Sequence, residues 1–396
     1  MHIDLIENKK NYQIFKIFII FLFFNYNFYI ISKLKIFLSY IKIYYEIKKV
    51  DNYYIFCNNN KLLKKFKKKN NPKISIISPI YNRQRFILRF LISIQYQNFE
   101  DLEIILVDDC SSDKSVKIIK EYQIRDERII LIKNKKNKGT FITRNIGALY
   151  SKGKYLIIPD PDDIIIDNIL TICYNYAEKY KYEMIMFKKI TGKRNPFFDD
   201  IVNEFENKIL KQPEISTFIF YASNELTITD LFIYNKFIKK DAYIRGLNSI
   251  KQYYLNIYMT IFEDQVINYI LHRTVKSFYY LKKIGYRYII NRLSITKIIQ
   301  KIDKRKLKFL FYYLKIILEY SKNIKYEKDM ANLLLNNLNN YLIIIRQLFL
   351  INKEDFHFYY NIINNYLNCT FITNENKYIL NEFKNIFEKK QINSFN

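Results

Sequence analysis

The stretch YLIIPDPDDII, residues 155–165, decides how the rest of the chain is read. An apolar run stops at Pro159, and Asp160, Asp162 and Asp163 follow within one turn. Like charges this close repel one another and gain nothing from burial. They are tolerated where solvent surrounds them or where a cation holds them together. The run in front has the length and β-branched character of a buried strand, which places the acidic turn at a strand end.

The same grammar repeats on either side. KISIIS (73–78), EIILV (103–107), RIILIK (128–133), KYLII (154–158) and EMIMF (183–187) are short strand-like runs. Between them, residues 84–97 place Ile87, Phe90, Leu91 and Ile94 at helical spacing. Residues 112–123, 140–151 and about 164–180 are the other expected helices. Strand and helix alternating through short connections predict an α/β fold, a Rossmann-like, mainly parallel sheet flanked by helices. Such sheets hold ligands at the carboxyl ends of their strands. Pro79, Tyr81 and Asn82 lie at the end of the first strand, Asp108 and Asp109 at the second, and the acidic turn at the fourth.

Carboxylate oxygens are hard ligands suited to Mg2+ or Mn2+, and such sites use few protein carboxylates and fill the shell with water and phosphate. Asp160 and Asp162 therefore suit a nucleotide diphosphate bridged by a metal, which would neutralise a departing phosphate. Equally, Asp162 or Asp163 could simply cap the helix expected from about 164. The residues of the turn alone leave both open.

The rest of the chain sets bounds. At 396 residues it has room for two or three units, and 49% hydrophobic residues allow a large core. Its formal charge of +27, from 65 Lys+Arg against 38 Asp+Glu, raises nucleic acid or an anionic membrane as partners. The lysines are spread along the whole chain, without the interleaved basic and aromatic pattern of a nucleic-acid module, so no nucleic-acid partner is expected. The densest cluster, KLLKKFKKKN at 61–70, reads as an exposed linker able to touch lipid headgroups. Cys57, Cys110, Cys173 and Cys369 are too far apart in sequence for a zinc knuckle or redox pair.

Residues 14–31, IFKIFIIFLFFNYNFYII, approach the length of a membrane span, and no small-residue cleavage site follows. A transmembrane signal anchor within 1–32 is expected, with a buried or interfacial helix as the alternative. The chain would then be a single-pass membrane protein, of an endomembrane such as Golgi or ER. The lysines after the span favour a cytosolic body. Residues 33–72 read as a basic stalk closed by Pro72. From 291 to 396 the pattern turns helical, with Leu335, Leu338, Leu342, Ile345 and Phe349 as a packing stripe.

Two stretches carry a resemblance. ISIISPIYNRQRFILRFLISIQYQNFEDLEIILVDDCSSDKS and NKGTFITRNIGALYSKGKYLIIPDPDD resemble the nucleotide-binding half of family 2 glycosyltransferases, which have the GT-A fold. The matching positions are Pro79, Tyr81 and Asn82; Asp108, Asp109, Ser111 and Asp113; Asn137 and Gly139; Arg144, Asn145 and Gly147; and Asp160, Asp162 and Asp163. MTIFEDQVINYIL (259–271) carries Glu263-Asp264 where the family places an acidic pair, and NELTITDLFIYNKFIKKDAYI (224–244), in which Asn235-Lys236 precedes a helix, resembles its acceptor-side segment.

The resemblance implies a metal-dependent, inverting enzyme that moves a sugar from a nucleotide-sugar donor to a glycan, lipid or protein acceptor. Asp108 or Asp109 would meet the base or ribose, Asp160 the ribose, and Asp162 a Mn2+ or Mg2+ ion. Arg144 would lie near the diphosphate, and Gly139 would allow close backbone approach. Asp264 would be the general base, with Glu263 orienting it. The transferase domain would span 73–290, a nucleotide half at 73–190 and an acceptor half at 191–290. Cys110 stands where the family usually has glycine, and Pro161 replaces a small residue in the acidic motif. With no Trp in the chain, the Gln-x-x-Arg-Trp motif of processive synthases is absent, which points to transfer of single sugars. The rivals are a GT-A-fold binding protein without turnover, a nucleotidyltransferase that would release pyrophosphate and, ranked last, a basic nucleic-acid-binding protein suggested by charge alone.

Overall fold

The computed structural model describes residues 65–166, 168–190, 209–211, 215, 232–289, the helix 304–320 and single positions between 361 and 385. The chain divides into two compact units, Met1–Leu62 and Leu63–Asn396. The expected anchor at 14–31, nearly all of the stalk and the leucine stripe at 335–349 lie outside the described residues. Among the described residues, no helix is long and apolar enough to cross a membrane.

Strands β1 (Ile74–Ile80) and β2 (Leu102–Asp108) are buried along their whole length. Continuous apolar runs of this kind belong to parallel strands covered on both faces. β1 pairs in parallel with β2 and with β4 (Tyr155–Ile157), and β2 with β3 (Ile129–Lys133). The register sets Ile80 beside Asp108, so the ends of β1 and β2 are level. Helices α1 (Ile87–Gln95), α2 (Ser115–Gln123) and α3 (Thr140–Tyr150) make the connections. α3 lies directly on β1 and β2. Gly147 permits this closeness, since a Cβ there would sit 2.4 Å from Ile77 Cγ2.

Two expectations are corrected. The sheet is mixed rather than mainly parallel, in the order β3-β2-β1-β4-β8-β6-β9-β5, with β7 (Ile209–Leu210) paired to β9. β8 (Lys236–Lys239) runs antiparallel between β4 and β6 (Met184–Ile190). β9 (Phe278–Arg287) runs parallel to β6 and antiparallel to β5 (Ile164–Ile165) and β7. β6 therefore lands one place further out than simple alternation would put it, and β8 fills the gap. An antiparallel insertion needs no crossover helix, so the local alternation of strand and helix carries no sign of it.

The second correction concerns 164–180. Ile164 and Ile165 form β5 against Tyr286 and Arg287, and the helix α4 starts only at Ile169, running to Tyr180. Its N-cap position is Asn168, so Asp162 and Asp163 cap nothing. The β-branched isoleucines after the acidic turn favour the extended form, and a partner strand is at hand.

After β8 come α5 (Lys240–Asn248), α6 (Gln252–Leu255) and α7 (Glu263–Thr274). α8 (Lys304–Tyr320) is the longest described stretch of the expected helical C-terminal region. Val266, Ile267 and Ile270 of α7 share one core cluster with Phe309, Tyr313 and Ile316 of α8 and with Ile77 and Leu156 of the sheet.

Candidate active site

The acidic turn hangs from β4 and is fixed from two sides. On the α1 side, Arg89 donates to the Asp162 carbonyl and Ser93 Oγ accepts from Ile165 N at 3.3 Å. On the β9 side, the buried Asp163 accepts from Tyr286 Oη at 2.8 Å and from Ile289 N at 2.8 Å. Asp160 and Asp162 keep partly exposed side chains, at 25% and 18%. Burial raises the Asp162 pKa, the Asp160 charge adds to it, and Arg83 partly offsets both. Arg83 Nε stands 3.9 Å from Asp162 Oδ2, beyond direct hydrogen bonding.

Arg144, on α3, joins this turn to a second acidic pair. Its guanidinium is 2% exposed. One terminal nitrogen donates to Asp160 Oδ1 at 2.6 Å. The other donates to Asp264 and, at 3.3 Å, to Glu263 Oε1. Burial alone would favour losing the guanidinium charge, but Asp264, Asp160 and Glu263 outweigh it and raise its pKa. Burial raises Glu263, and its neighbour Asp264 raises it further, while Arg144 pulls it back. Asp264 is also raised by burial, against the pull of Arg144. Three carboxylates thus share one buried cation, and the cluster keeps a surplus of negative charge. The pair opens α7, where the helix dipole favours acids.

Glu263 and Asp264 are aimed by an unusual backbone. Phe262, just before them, has φ +65°, a left-handed conformation that costs a bulky residue of order 1–3 kcal/mol. Its ring lies parallel to Tyr313 of α8 at 6.5 Å. Lys236, buried on β8, adds a positive charge that opposes the rise of Asp264.

The rim at the ends of β1 and β2 is stitched from loops. Asp109 spends both oxygens on the loop before α3, accepting from Asn134 Nδ2 and Lys138 N, each at 2.8 Å, and from Gly139 N at 2.9 Å. Asp108 accepts from Ser111 N at 3.3 Å, while its other oxygen is buried with no protein partner. Asn82, at φ +52°, accepts from Ser112 N at 2.9 Å and ties the β1 loop to the β2 loop. Tyr81 beside it is 44% exposed. Pro79 is buried in β1 opposite Val107, so it shapes the strand end from within. Gly139 has φ +82°, and a Cβ there would lie 2.9 Å from the Met259 carbonyl.

Residues 75–247 match the profile of the family described as Glycosyl transferase family 2. These residues form a family 2 glycosyltransferase domain.

Among relatives, a glycosyltransferase of Methanocaldococcus jannaschii is 31% identical over 188 residues, 46% of this chain and 62% of that protein. The glycosyltransferase GlyG of Streptococcus pneumoniae is 30% identical over 113 residues, 28% of this chain and 38% of that protein. The chain thus spans less than two thirds of the curated relatives it matches. Among solved structures, S. aureus TarS 1-349 in complex with UDP-GlcNAc aligns with a TM-score of 0.54 at 16% identity, over 81% of this chain and 92% of that one. This likeness is one of fold.

The glycosyltransferase domain brings Asp160 and Arg144 into direct contact with Glu263 and Asp264, which lie beyond the matched residues. It also sets Asp162 in the same turn, and Asp108 and Asp109 on the neighbouring strand end. Arg144 is held among carboxylates, with its Nε buried and unpartnered. Tyr286, Phe262 and Arg83 are parts of the site that the sequence does not single out. Tyr286 lies in a β9 segment, FYYLKKIGYR, with no motif around it. Phe262 gives no signal until its φ is known, and Arg83 sits in the Tyr-Asn-Arg stretch as one more basic residue.

Proposed function

We propose that the chain transfers a single sugar from a nucleoside-diphosphate sugar to an acceptor hydroxyl of a glycan, lipid or protein, with inversion at the anomeric carbon and with Asp264 as general base. The observation that supports this most is the convergence on Arg144 of Asp160 from the nucleotide half and Glu263-Asp264 from the acceptor half. A base for the acceptor and the donor-side acids share one cleft there.

The chemistry follows from the cluster. An inverting transfer needs one displacement, with a carboxylate within reach of the incoming hydroxyl. Burial raises Asp264 above ordinary aspartate, which makes its carboxylate a stronger base. Arg144 keeps that carboxylate ionised and fixes its direction, while Glu263, raised further, takes the orienting position. Asp264 accepts the hydroxyl proton as oxygen attacks the anomeric carbon. The nucleoside diphosphate leaves from the opposite face. Asp108, with one oxygen unpartnered, and Tyr81 supply contacts for the nucleotide.

The residues fit a divalent cation. Asp162 is a hard oxygen donor whose pKa is raised by burial and then by the Asp160 charge beside it, and a cation would offset both. Among the described residues, no three of His, Cys, Asp or Glu converge as a metal cage. A Mn2+ or Mg2+ ion on Asp162 would share its shell with diphosphate and water and would neutralise the leaving group. A membrane tether at residues 14–31, on an endomembrane, belongs to the same proposal and is supported by the apolar run.

The test is donor hydrolysis and transfer over a panel of nucleotide sugars with Mn2+, with and without EDTA. Release of a nucleoside diphosphate from one donor, lost with EDTA and in Asp162→Ala, is the expected result. Release of pyrophosphate, or no binding of any nucleotide sugar by folded protein, would overturn it.

A further inference from the structure

Three carboxylates in four positions repel one another, yet the acidic turn is held in one shape. Among the groups that hold it, one hydroxyl reaches both of its ends. Tyr286 Oη donates to Asp163 Oδ2 at 2.8 Å and accepts from the backbone N–H of Asp160 at 3.1 Å. It therefore ties both ends of the turn to β9 at one point. Ile289 N adds a bond to Asp163 Oδ1 at 2.8 Å, and Gly285 O accepts from Ile166 N at 2.9 Å. Asp163 thus serves the turn as a tether, with both carboxylate oxygens engaged by β9 and the residues after it, while Asp160 and Asp162 stay partly exposed.

The Tyr286 ring is placed for this. It is fully buried and stacks on Tyr234 at 4.6 Å with an interplanar angle of 10°. Tyr234 in turn stacks on Phe232 at 4.9 Å, next to the segment that leads into Lys236 and β8. The hydroxyl cannot swing away without breaking that stack.

We infer that Tyr286 is the positioning residue of the acidic turn, holding Asp160 and Asp162 in the arrangement that a divalent cation and a nucleotide diphosphate require. This rests on the metal reading of Asp162 given above. Burial and the neighbouring Asp163 and Asp160 raise the Tyr286 pKa well above the ordinary tyrosine value, so the phenol stays a donor. Without it, repulsion opens the turn, and a cation must pull the carboxylates together before it can bind.

The experiment compares the full chain with Tyr286→Phe, which keeps the ring and removes only the hydroxyl. Tyr234→Phe is the control, since it removes a hydroxyl from the same stack, one that accepts from Lys189 Nζ at 3.2 Å. Mn2+ binding is read from the free-ion electron spin resonance signal, and order in the turn from amide hydrogen exchange of residues 158–166. Tyr286→Phe is expected to weaken Mn2+ binding about tenfold and to speed exchange in that peptide about tenfold, the scale of one buried hydrogen bond lost. Exchange in β2 stays unchanged, and Tyr234→Phe behaves as the parent. Parental Mn2+ affinity in Tyr286→Phe, with only a fall in melting temperature, would overturn the inference. If the parent itself binds no Mn2+, the metal assignment to Asp162 fails separately. The exchange arm then decides the tether, with faster exchange supporting it and unchanged exchange overturning it.

Discussion

Arg144 is where the two acidic groups meet, and its substitution should show in two independent ways. Arg144→Met leaves three carboxylates, two of them buried, without their cation. Breaking a buried ion pair by removing one partner costs about 3–5 kcal/mol, to be read from urea denaturation. The pH profile should move too. The guanidinium favours ionised Asp264, so removing it raises the aspartate pKa, and the acid limb of kcat/KM shifts to higher pH. An unshifted limb would mean that another group sets it. Asp264→Asn should keep donor binding while transfer falls by about a hundredfold to ten-thousandfold, the usual worth of a general base. Glu263 gives a stability test. Its pKa in the fold is raised, so the folded state binds its proton more tightly than the unfolded chain. That contribution is present at low pH and is lost as pH rises from about 4 through the raised value. Glu263→Gln cannot ionise, so between about pH 5 and pH 8 its melting temperature should fall less than the parent's.

At the scale of elements, α3 is the part with least room to move. It sits on Ile77 and Val107 through Gly147, starts at Gly139 against the Met259 carbonyl, and carries Arg144 between them. Gly139→Ala forces a side chain into φ +82° and into that carbonyl. A loss of about 1–3 kcal/mol is expected, with weaker nucleotide binding because Asp109 grips the Gly139 N–H. Thermal melting with and without nucleoside diphosphate would show both. Much of this neighbourhood is legible in the sequence. The apolar runs locate β1 to β4, and the strand-end rule alone puts Asp108, Asp109 and the acidic turn on one rim. Glu263-Asp264 is likewise legible at a helix start. What stays hidden depends on distant pairing. β5 reads as the beginning of a helix because its partner, Tyr286 and Arg287, comes far later in the chain. β8 between β4 and β6 leaves no local trace, since nothing in either strand announces an antiparallel neighbour. The ion pairs of Arg144 leave no local trace either, because its three carboxylate partners come from two other segments.

For the whole molecule, the family match ends at residue 247, but the core does not. α8 puts Phe309, Tyr313 and Ile316 into the same cluster as α7, and Glu319 pairs with Lys251 and accepts from Tyr254 Oη. Removing residues 291–396 should therefore cost cooperative unfolding as well as activity, seen as a broadened calorimetric transition and dye binding to exposed apolar surface. A truncated chain that melts as sharply as the parent would show that α8 is dispensable. Membrane attachment is tested at this scale too. The full chain should float with lipid vesicles, and a chain starting at residue 71 should not. The single guanidinium shared by the two halves has an evolutionary corollary. The segment carrying Asp160 and Arg144 and the one carrying Glu263-Asp264 cannot be traded freely between relatives, because each delivers part of one ion-paired knot. Recombination at the boundary near residue 190 would yield working hybrids only where the incoming half brings a matching arginine or a matching acidic pair. New acceptor preferences would then arise by remodelling loops around a fixed junction, not by exchanging whole modules.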